Sequence, residues 1–317
     1  MGQPVIPPTP EGTSVAGKTI LITGGNAGLG LEAARQFLLL GCARLILACR
    51  SLTRGEAAAT SLRADPAVSA TNPSATITVL ELDLDDYQSG QRFAHKVTAT
   101  VPELDILLNN GGIASMRYET SRSGHERTLQ VNAYTHLLIT LYLLPLLQKT
   151  ALLRGTPSHV TFVSSSTQKT QATLKSAVPA DVSVLEYLDA PAQYSRFRRY
   201  ADSKMLVSAY VRRLAEVVVP KEVVVNNLCP GLVQTNLDQN LPGPLKFVMG
   251  WVRRTAGRTV EEGARTLVYA AVVAGPESAG RFLAQNQVEE YVSRDFSWSF
   301  PLASSFSAGW KLGTVLK

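Results

Sequence analysis

From Lys18 onward, short apolar runs alternate with stretches of helical periodicity. KTILIT (18–23), RLILAC (44–49), ATITVLEL (75–82), LDILLNN (104–110), SHVTFVS (158–164) and EVVVNNL (222–228) are rich in Val, Ile, Leu and Thr. None shows the strict alternation of a half-exposed strand, so they predict strands buried on both faces of a parallel sheet. Between them lie helical stretches such as LEAARQFLLLG (31–41, closed by Gly41) and TRGEAAATSLRA (53–64). This alternation, with right-handed crossovers, predicts an α/β fold. The expected architecture is a single Rossmann-type, doubly wound parallel sheet of about seven strands with helices on both faces, the seventh near Gly280–Ala284. The expected boundaries are an N-terminal arm over 1–16, the domain over 17–290, and a C-terminal tail over 291–317 packed on or near it. Three segments break the rhythm: a loop at 65–75, an insert at 166–199, and a region at 236–258 that mixes loop chemistry with apolar side chains. A long loop in a compact domain is either functional or disordered.

Composition narrows the class. With 317 residues, 45% of them hydrophobic and 18% charged, the chain can bury a large core without metal or disulfides. The cysteines, Cys42, Cys49 and Cys229, are odd in number and lack metal-ligand spacing, which predicts reduced thiols in an intracellular protein. His95, His125, His136 and His159 form no HxxxH or HExxH pattern, so no metal site is expected. The net charge of +6 comes with short clusters such as Arg196–Arg198–Arg199 and Arg253–Arg254. These are expected to be solvated helix faces rather than a nucleic-acid surface, and the positive excess suits a polyanionic cofactor. Residues 1–18 lack the apolar centre of a signal peptide. The apolar run HLLITLYLLPLLQK falls short of the ~20 residues of a membrane span and contains Pro145. It predicts a buried helix, no integral membrane span, and a cytoplasmic location.

Three groups of residues carry chemistry. Thr23-Gly24-Gly25-Asn26-Ala27-Gly28-Leu29-Gly30 follows the first strand and opens a helix. Glycines there let the backbone approach a pyrophosphate, and free N–H groups at the helix start favour its charge. The spacing is GxxxGxG, not GxGxxG, so a mere tight turn is the competing reading. After the second strand, Ala48-Cys49-Arg50-Ser51 has Arg50 where an NAD-binding fold places an acid. A guanidinium there can hold a 2′-phosphate, or it can simply begin the next helix on the surface. Tyr200-Ala201-Asp202-Ser203-Lys204 opens a further helix, and a spacing of four puts Tyr200 and Lys204 on one face. A free phenol titrates near ~10, and a neighbouring ammonium favours the tyrosinate. Such a pair can donate and accept a proton, although the spacing alone is common.

In combination and order these motifs resemble the short-chain dehydrogenase/reductase family, in its non-extended branch, over residues 16–285. Thr23–Gly30 matches its TGxxxGxG cofactor turn. Asp83, followed by Leu84 in LDLDD, matches the acid that contacts adenine. Asn109-Asn110-Gly111-Gly112 matches NNAG, with Gly111 where alanine is usual. Asn132 in LQVNAY matches the tetrad asparagine. Ser165 aligns best with the catalytic serine, within the run Ser164–Ser166. Tyr200 and Lys204 match YxxxK, and Pro230-Gly231-Leu232-Val233-Gln234-Thr235 matches the PGxVxT stretch at the nicotinamide end.

The resemblance implies an NADP(H)-dependent oxidoreductase, similar to carbonyl reductases and retinol-dehydrogenase-like members. Tyr200 would move the proton, Ser165 polarise the carbonyl, Lys204 bind the nicotinamide ribose, and Asn132 anchor a proton-relaying water. Thr23, Gly24, Asn26, Gly28, Leu29, Gly30, Arg50, Asp83, Leu84, Asn110, Gly111, Pro230, Gly231, Val233 and Thr235 would hold the cofactor. Apolar residues in 236–258, namely Leu237, Leu241, Leu245, Phe247, Val248, Met249 and Trp251, point to a lipophilic carbonyl or alcohol of polyketide, terpenoid, steroid or retinoid type. The separation of Ser165 from Tyr200 is longer than usual, and the intervening insert is expected to cover the active-site mouth and to mask the surface by which such chains pair. Monomer and homodimer both stay open. So do two other functions: an isomerase, dehydratase or cyclisation enzyme on the same scaffold, and a cofactor-sensing binding protein.

Overall fold

The computed structural model describes residues 3–173, 178, 182–235 and 243–289. Its strands are β1 (Thr19–Thr23), β2 (Arg44–Cys49), β3 (Thr76–Glu81), β4 (Ile106–Asn109), β5 (Ser158–Val163), β6 (Val223–Cys229), β7 (Phe282–Ala284) and β8 (Gln287–Glu289). They form one sheet in the order β3-β2-β1-β4-β5-β6-β7-β8. The pairs from β3 to β7 are all parallel, and β8 returns antiparallel on β7. The hairpin turns at Gln285 and Asn286, both at positive φ, as a two-residue turn of primed type requires. The strand order reverses between β1 and β4. In a doubly wound sheet the crevice beyond the carboxyl ends at that point is the binding position.

The apolar runs lack alternation because both faces are covered. Leu21, Ile46, Leu107 and Val160 join one core with the helices Tyr87–Thr100 and Arg199–Val217 and the long helix Arg127–Arg154. Ile20, Ile22, Leu45, Leu47, Ile106 and Leu108 join the other with Gly28–Leu39, Leu52–Ala64 and Val260–Val268. The Arg127–Arg154 helix is long and apolar enough to cross a membrane by length and composition, but 56% of its apolar stretch is buried inside the fold. It is a core helix, with Pro145 inside it.

The irregular segments hold more structure than their composition signals. Within 65–75, Pro66–Thr71 is a helix whose N-cap, Asp65, accepts from the N–H groups of Ala67 and Val68. The Asp-Pro pair is a helix start. The insert contains the short helices Thr167–Gln171 and Val184–Asp189. It is tied down: the Asp189 carboxylate meets the His125 ring at 2.6 Å and accepts from Glu126 N at 2.9 Å, while Asp202 accepts from Thr173 N and Oγ1. In place of the loop chemistry expected over 236–258, Gly243–Ala256 is a helix. Leu237 and Leu241 lie outside the described residues, as does the tail 291–317.

Candidate active site

The turn after β1 is built around one hydroxyl. Thr23 is fully buried, and its Oγ1 accepts from Asn110 N at 2.9 Å and Gly111 N at 3.0 Å. The same oxygen lies 2.9 Å from His136 Nε2. Because two N–H groups already point at it, its own proton goes to the imidazole. Burial holds His136 at a pKa of about 3, so the ring is neutral and accepts at Nε2. Its Nδ1 faces the carbonyl oxygen of Asn132 at 3.4 Å. Gly24, at φ +63, lies so close to the β4 loop that a Cβ would sit 2.9 Å from Gly111 Cα. Asn110 Nδ2 donates back to Thr23 O at 2.9 Å. A Cβ on Gly111 would fall 2.5 Å from Leu84 Cδ1. The methyl missing relative to NNAG is thus replaced by Leu84, and the loop is filled.

Asn132 sits in a π-turn, Gln130–Tyr134, inside the long helix. Such turns redirect groups that a regular ladder would keep in line. Its Oδ1 accepts from Ile113 N at 2.8 Å, and its Nδ2 donates to Ile113 O at 2.9 Å and Ser203 Oγ at 3.0 Å. Ser203 Oγ in turn donates to Tyr200 O at 2.7 Å. One amide therefore locks the loop after β4 to the first turn of the Tyr200 helix. Arg199, fully buried beside Tyr200, lies 3.8 Å from Glu126 and donates to Gln193 O at 3.1 Å. The start of that helix is thereby pinned to both the core and the insert.

Lys204 reaches back under the sheet end. Its Nζ donates to Val163 O at 2.8 Å and lies 5.6 Å from the centre of the Tyr200 ring. Burial lowers its pKa to about 8. Gly112 leaves room beside it: a Cβ there would stand 3.2 Å from Asn132 Oδ1 and 3.7 Å from Lys204 Nζ. The three serines after β5 differ. Ser164 is buried and donates to Lys204 O at 3.1 Å, while Ser166 is exposed. Ser165 is half-buried, and its Oγ accepts from Thr167 N and Oγ1.

These groups open onto a cavity of about 1190 Å³. Gly24, Asn26, Gly28, Leu29, Arg50, Asp83, Leu84, Asn110, Gly111, Ser165, Tyr200, Lys204, Pro230, Gly231, Val233 and Thr235 all line it. Thr23, Gly30 and Asn132 do not, and stand buried directly behind its wall. Arg50 and Arg54, both exposed, follow β2, and Asp83 follows the neighbouring β3, so all three line the cavity on that side of the sheet. At the other, Met116, Phe197, Leu245 and Met249 surround the approach to Tyr200. Trp251, Phe247 and Val248 are 65%, 79% and 52% exposed and do not line the cavity, so the apolar stripe of that helix divides between two faces.

A family model described as short chain dehydrogenase matches residues 18–178. The chain belongs to the short-chain dehydrogenase/reductase family. It is 58% identical over 302 residues to the short chain dehydrogenase sor7 of Hypocrea jecorina (strain QM6a), covering 95% of this chain and 84% of that one. It is 40% identical to the short chain dehydrogenase macD of Penicillium terrestre, covering 91% and 88%. Among solved structures, the Pseudomonas aeruginosa RhlG/NADP active-site complex superposes with a TM-score of 0.64 at 23% identity, over 86% of this chain and 95% of that one. The NADPH-bound carbonyl reductase from chicken fatty liver does so at 0.61 and 20%, over 87% and 100%.

For this dehydrogenase, motif reading passed over His136, Ser203 and Gln3. His136 stands four residues after Asn132, which on a helix is the same face. That spacing was the available signal. Ser203 lies inside YADSK and carries no mark of its own. Gln3 lines the cavity from an arm that no motif covers.

Proposed function

We propose that this chain is an NADP(H)-dependent oxidoreductase that interconverts a carbonyl and an alcohol on a small, lipophilic substrate. The observation that carries the proposal is a single cavity. It holds Ser165, Tyr200 and Lys204 at one end, two arginines at the other, and a close-packed glycine turn between them. The cradle fits a dinucleotide. Backbone replaces side chains where Gly24 meets Gly111, and free N–H groups at the start of Gly28–Leu39 suit a pyrophosphate. RhlG in complex with NADP and the NADPH-bound carbonyl reductase, which share the fold, support the choice of cofactor.

When bound, the nicotinamide supplies or accepts the hydride. Everything else falls to the chain. Tyr200 gives its phenolic proton to the carbonyl oxygen as negative charge develops there, and takes it back in the reverse direction. Ser165 donates to that oxygen and holds it in place. Lys204, kept close to Tyr200 by Val163 O, favours the tyrosinate with its charge and presents an N–H donor to the ribose. Both Nδ2 protons of Asn132 are engaged, on Ile113 O and Ser203 Oγ, so its side chain serves to lock the loop after β4 to the Tyr200 helix. Leu245, Met249, Met116 and Phe197 favour an apolar substrate, of polyketide, terpenoid, steroid or retinoid kind. A cytosolic location is part of the proposal, supported by the buried, unpaired Cys42, Cys49 and Cys229.

The test is NADPH oxidation against a panel of hydrophobic ketones, aldehydes and quinones. Turnover with some of them, absent for small hydrophilic aldehydes, is expected. Tight NADPH binding with no turnover on any carbonyl would favour the isomerase or sensor readings.

A further inference from the structure

The Pro230–Thr235 loop is held from outside the Rossmann frame. Gln3 brackets Leu232 with both ends of its amide: Oε1 accepts from Leu232 N at 2.8 Å and Nε2 donates to Leu232 O at 2.8 Å. The same Nε2 lies 3.0 Å from Ala256 O, on the last residue of the Gly243–Ala256 helix. That carbonyl is one of those a helix C-terminus leaves without an internal partner. Arg258 is 5% exposed and completes the clamp, donating to Pro230 O at 3.1 Å and Pro4 O at 2.7 Å. Gly231 makes room for both. It sits at φ +82, and a Cβ on it would lie 2.3 Å from Arg258 Nη1 and 2.4 Å from Gln3 Oε1. Further along the arm, Ile6 is buried, its N–H on Glu262 and its carbonyl on Arg265.

We propose that the N-terminal arm belongs to the cofactor site, with Gln3 as a positioning residue that holds the Pro230–Thr235 loop against the nicotinamide end. The inference rests on the dinucleotide reading of the cavity. Among the described residues the arm adds no strand to the sheet; it reaches the body through residues 3–6, through Val15, which is buried in a core and donates its N–H to Leu40 O, and through an isolated bridge from Ala16 to Cys42. Loss of its first seven residues takes away no strand pairing and no partner of Val15 or Ala16, and frees the loop. The latch also joins the loop to the end of the Gly243–Ala256 helix, whose Leu245 and Met249 face the cavity. One amide thus sets the nicotinamide side and one wall of the substrate side. Among the described residues its hydrogen bonds go to Leu232 and Ala256, and none goes to Arg50, Arg54 or Asp83, which line the adenine end.

That asymmetry gives the test. Gln3→Met keeps length and volume but loses the amide. Its affinities for NADPH and for 2′,5′-ADP, which lacks the nicotinamide half, are compared with wild type by titration calorimetry, beside thermal unfolding and steady-state kinetics. The expected result is about tenfold weaker NADPH binding, 2′,5′-ADP within about twofold of wild type, and a KM for NADPH that rises more than kcat falls. Deleting residues 1–7 shifts the same quantities the same way and further. Equal losses for both ligands, or unchanged NADPH binding in both variants, would overturn the proposal and leave the arm a general stabiliser. If wild type prefers NADH and the same split appears between NADH and AMP, the cofactor choice is wrong and the arm's role stands. If wild type binds neither dinucleotide, both fall.

Discussion

Replacing Thr23 with valine isolates the hydroxyl that joins the glycine turn to the rest of the site. The shapes are nearly the same, so no cavity arises. Three groups lose their partner, the buried Gly111 N and His136 Nε2 and the part-buried Asn110 N, at 3.0, 2.9 and 2.9 Å in the wild type. A buried polar group left unpaired costs about 1–3 kcal/mol. Allowing the loop to relax toward the low end, Thr23→Val loses about 3–5 kcal/mol, a large part of the ~5–15 kcal/mol that holds such domains folded. Thr23→Ser keeps the oxygen and loses one methyl, at about 1 kcal/mol. Urea unfolding, with the midpoint and slope fitted for all three proteins, reads the difference. NADPH affinity should fall with stability in the valine variant, because the freed N–H groups belong to the cofactor loop. A valine variant within about 1 kcal/mol of wild type, or an imidazole nitrogen spectrum showing Nε2 protonated in wild type, would refute the reasoning.

Arg50 and Arg54 both line the cavity and both are exposed, and on the proposed function both would read the 2′-phosphate. Arg50→Ala should lower the NADPH-over-NADH ratio of kcat/KM about tenfold, and the double alanine variant about a hundredfold, at ~1.4 kcal/mol per decade. Arg50→Asp should invert the preference, and a ratio indifferent to both positions would show that neither reads the phosphate. Lys204 has its pKa lowered by burial to about 8. Below that value the apoprotein holds a buried ammonium at a cost, and as pH rises from about 8 toward the 10.5 of an ordinary lysine that cost is relieved. Apoprotein stability should therefore rise across this window while NADPH affinity falls, as the charge that strengthens the bond to the ribose is lost; Lys204→Met should flatten both trends. Gly111→Ala should be tolerated within about 1.5 kcal/mol by rotation of Leu84, and Leu84→Ala in that background should restore what was lost, as a double-mutant unfolding cycle would show.

Strands β1 to β6 were legible because burial on both faces writes the same apolar run six times. Strand β8 was not: it has three residues, half exposed, and its turn, Gln285-Asn286, lacks the glycine that marks such turns. The helix Gly243–Ala256 was obscured because Gly243, Pro244 and Gly250 read as loop, although Pro in a first turn is a helix start. At the site, residues of chemically marked type at motif spacing could be found from sequence. Ser203 could not, and His136 showed only its spacing of four from Asn132, because they act on neighbours and not on a ligand, and their partners come from other elements: Asn132 from the long helix for one, Thr23 from β1 for the other. Gln3 is farthest from reach, since its partner Leu232 lies at the other end of the chain. Trp251 shows the converse: an aromatic in an apolar stretch looked like a pocket wall, and its helix turns it outward.

Tyr200→Phe tests the proposed chemistry most directly. The variant is mixed with NADPH and a carbonyl substrate accepted by wild type, hydride transfer is followed in a single turnover, and NADPH affinity is measured alongside. Loss of the proton donor should slow transfer by about 10²- to 10⁴-fold, the usual worth of a positioned acid. The affinity should stay within about twofold, because Lys204 is held by Val163 O and not by the phenol. Transfer at the wild-type rate in the phenylalanine variant would contradict the assignment of Tyr200 as the proton donor.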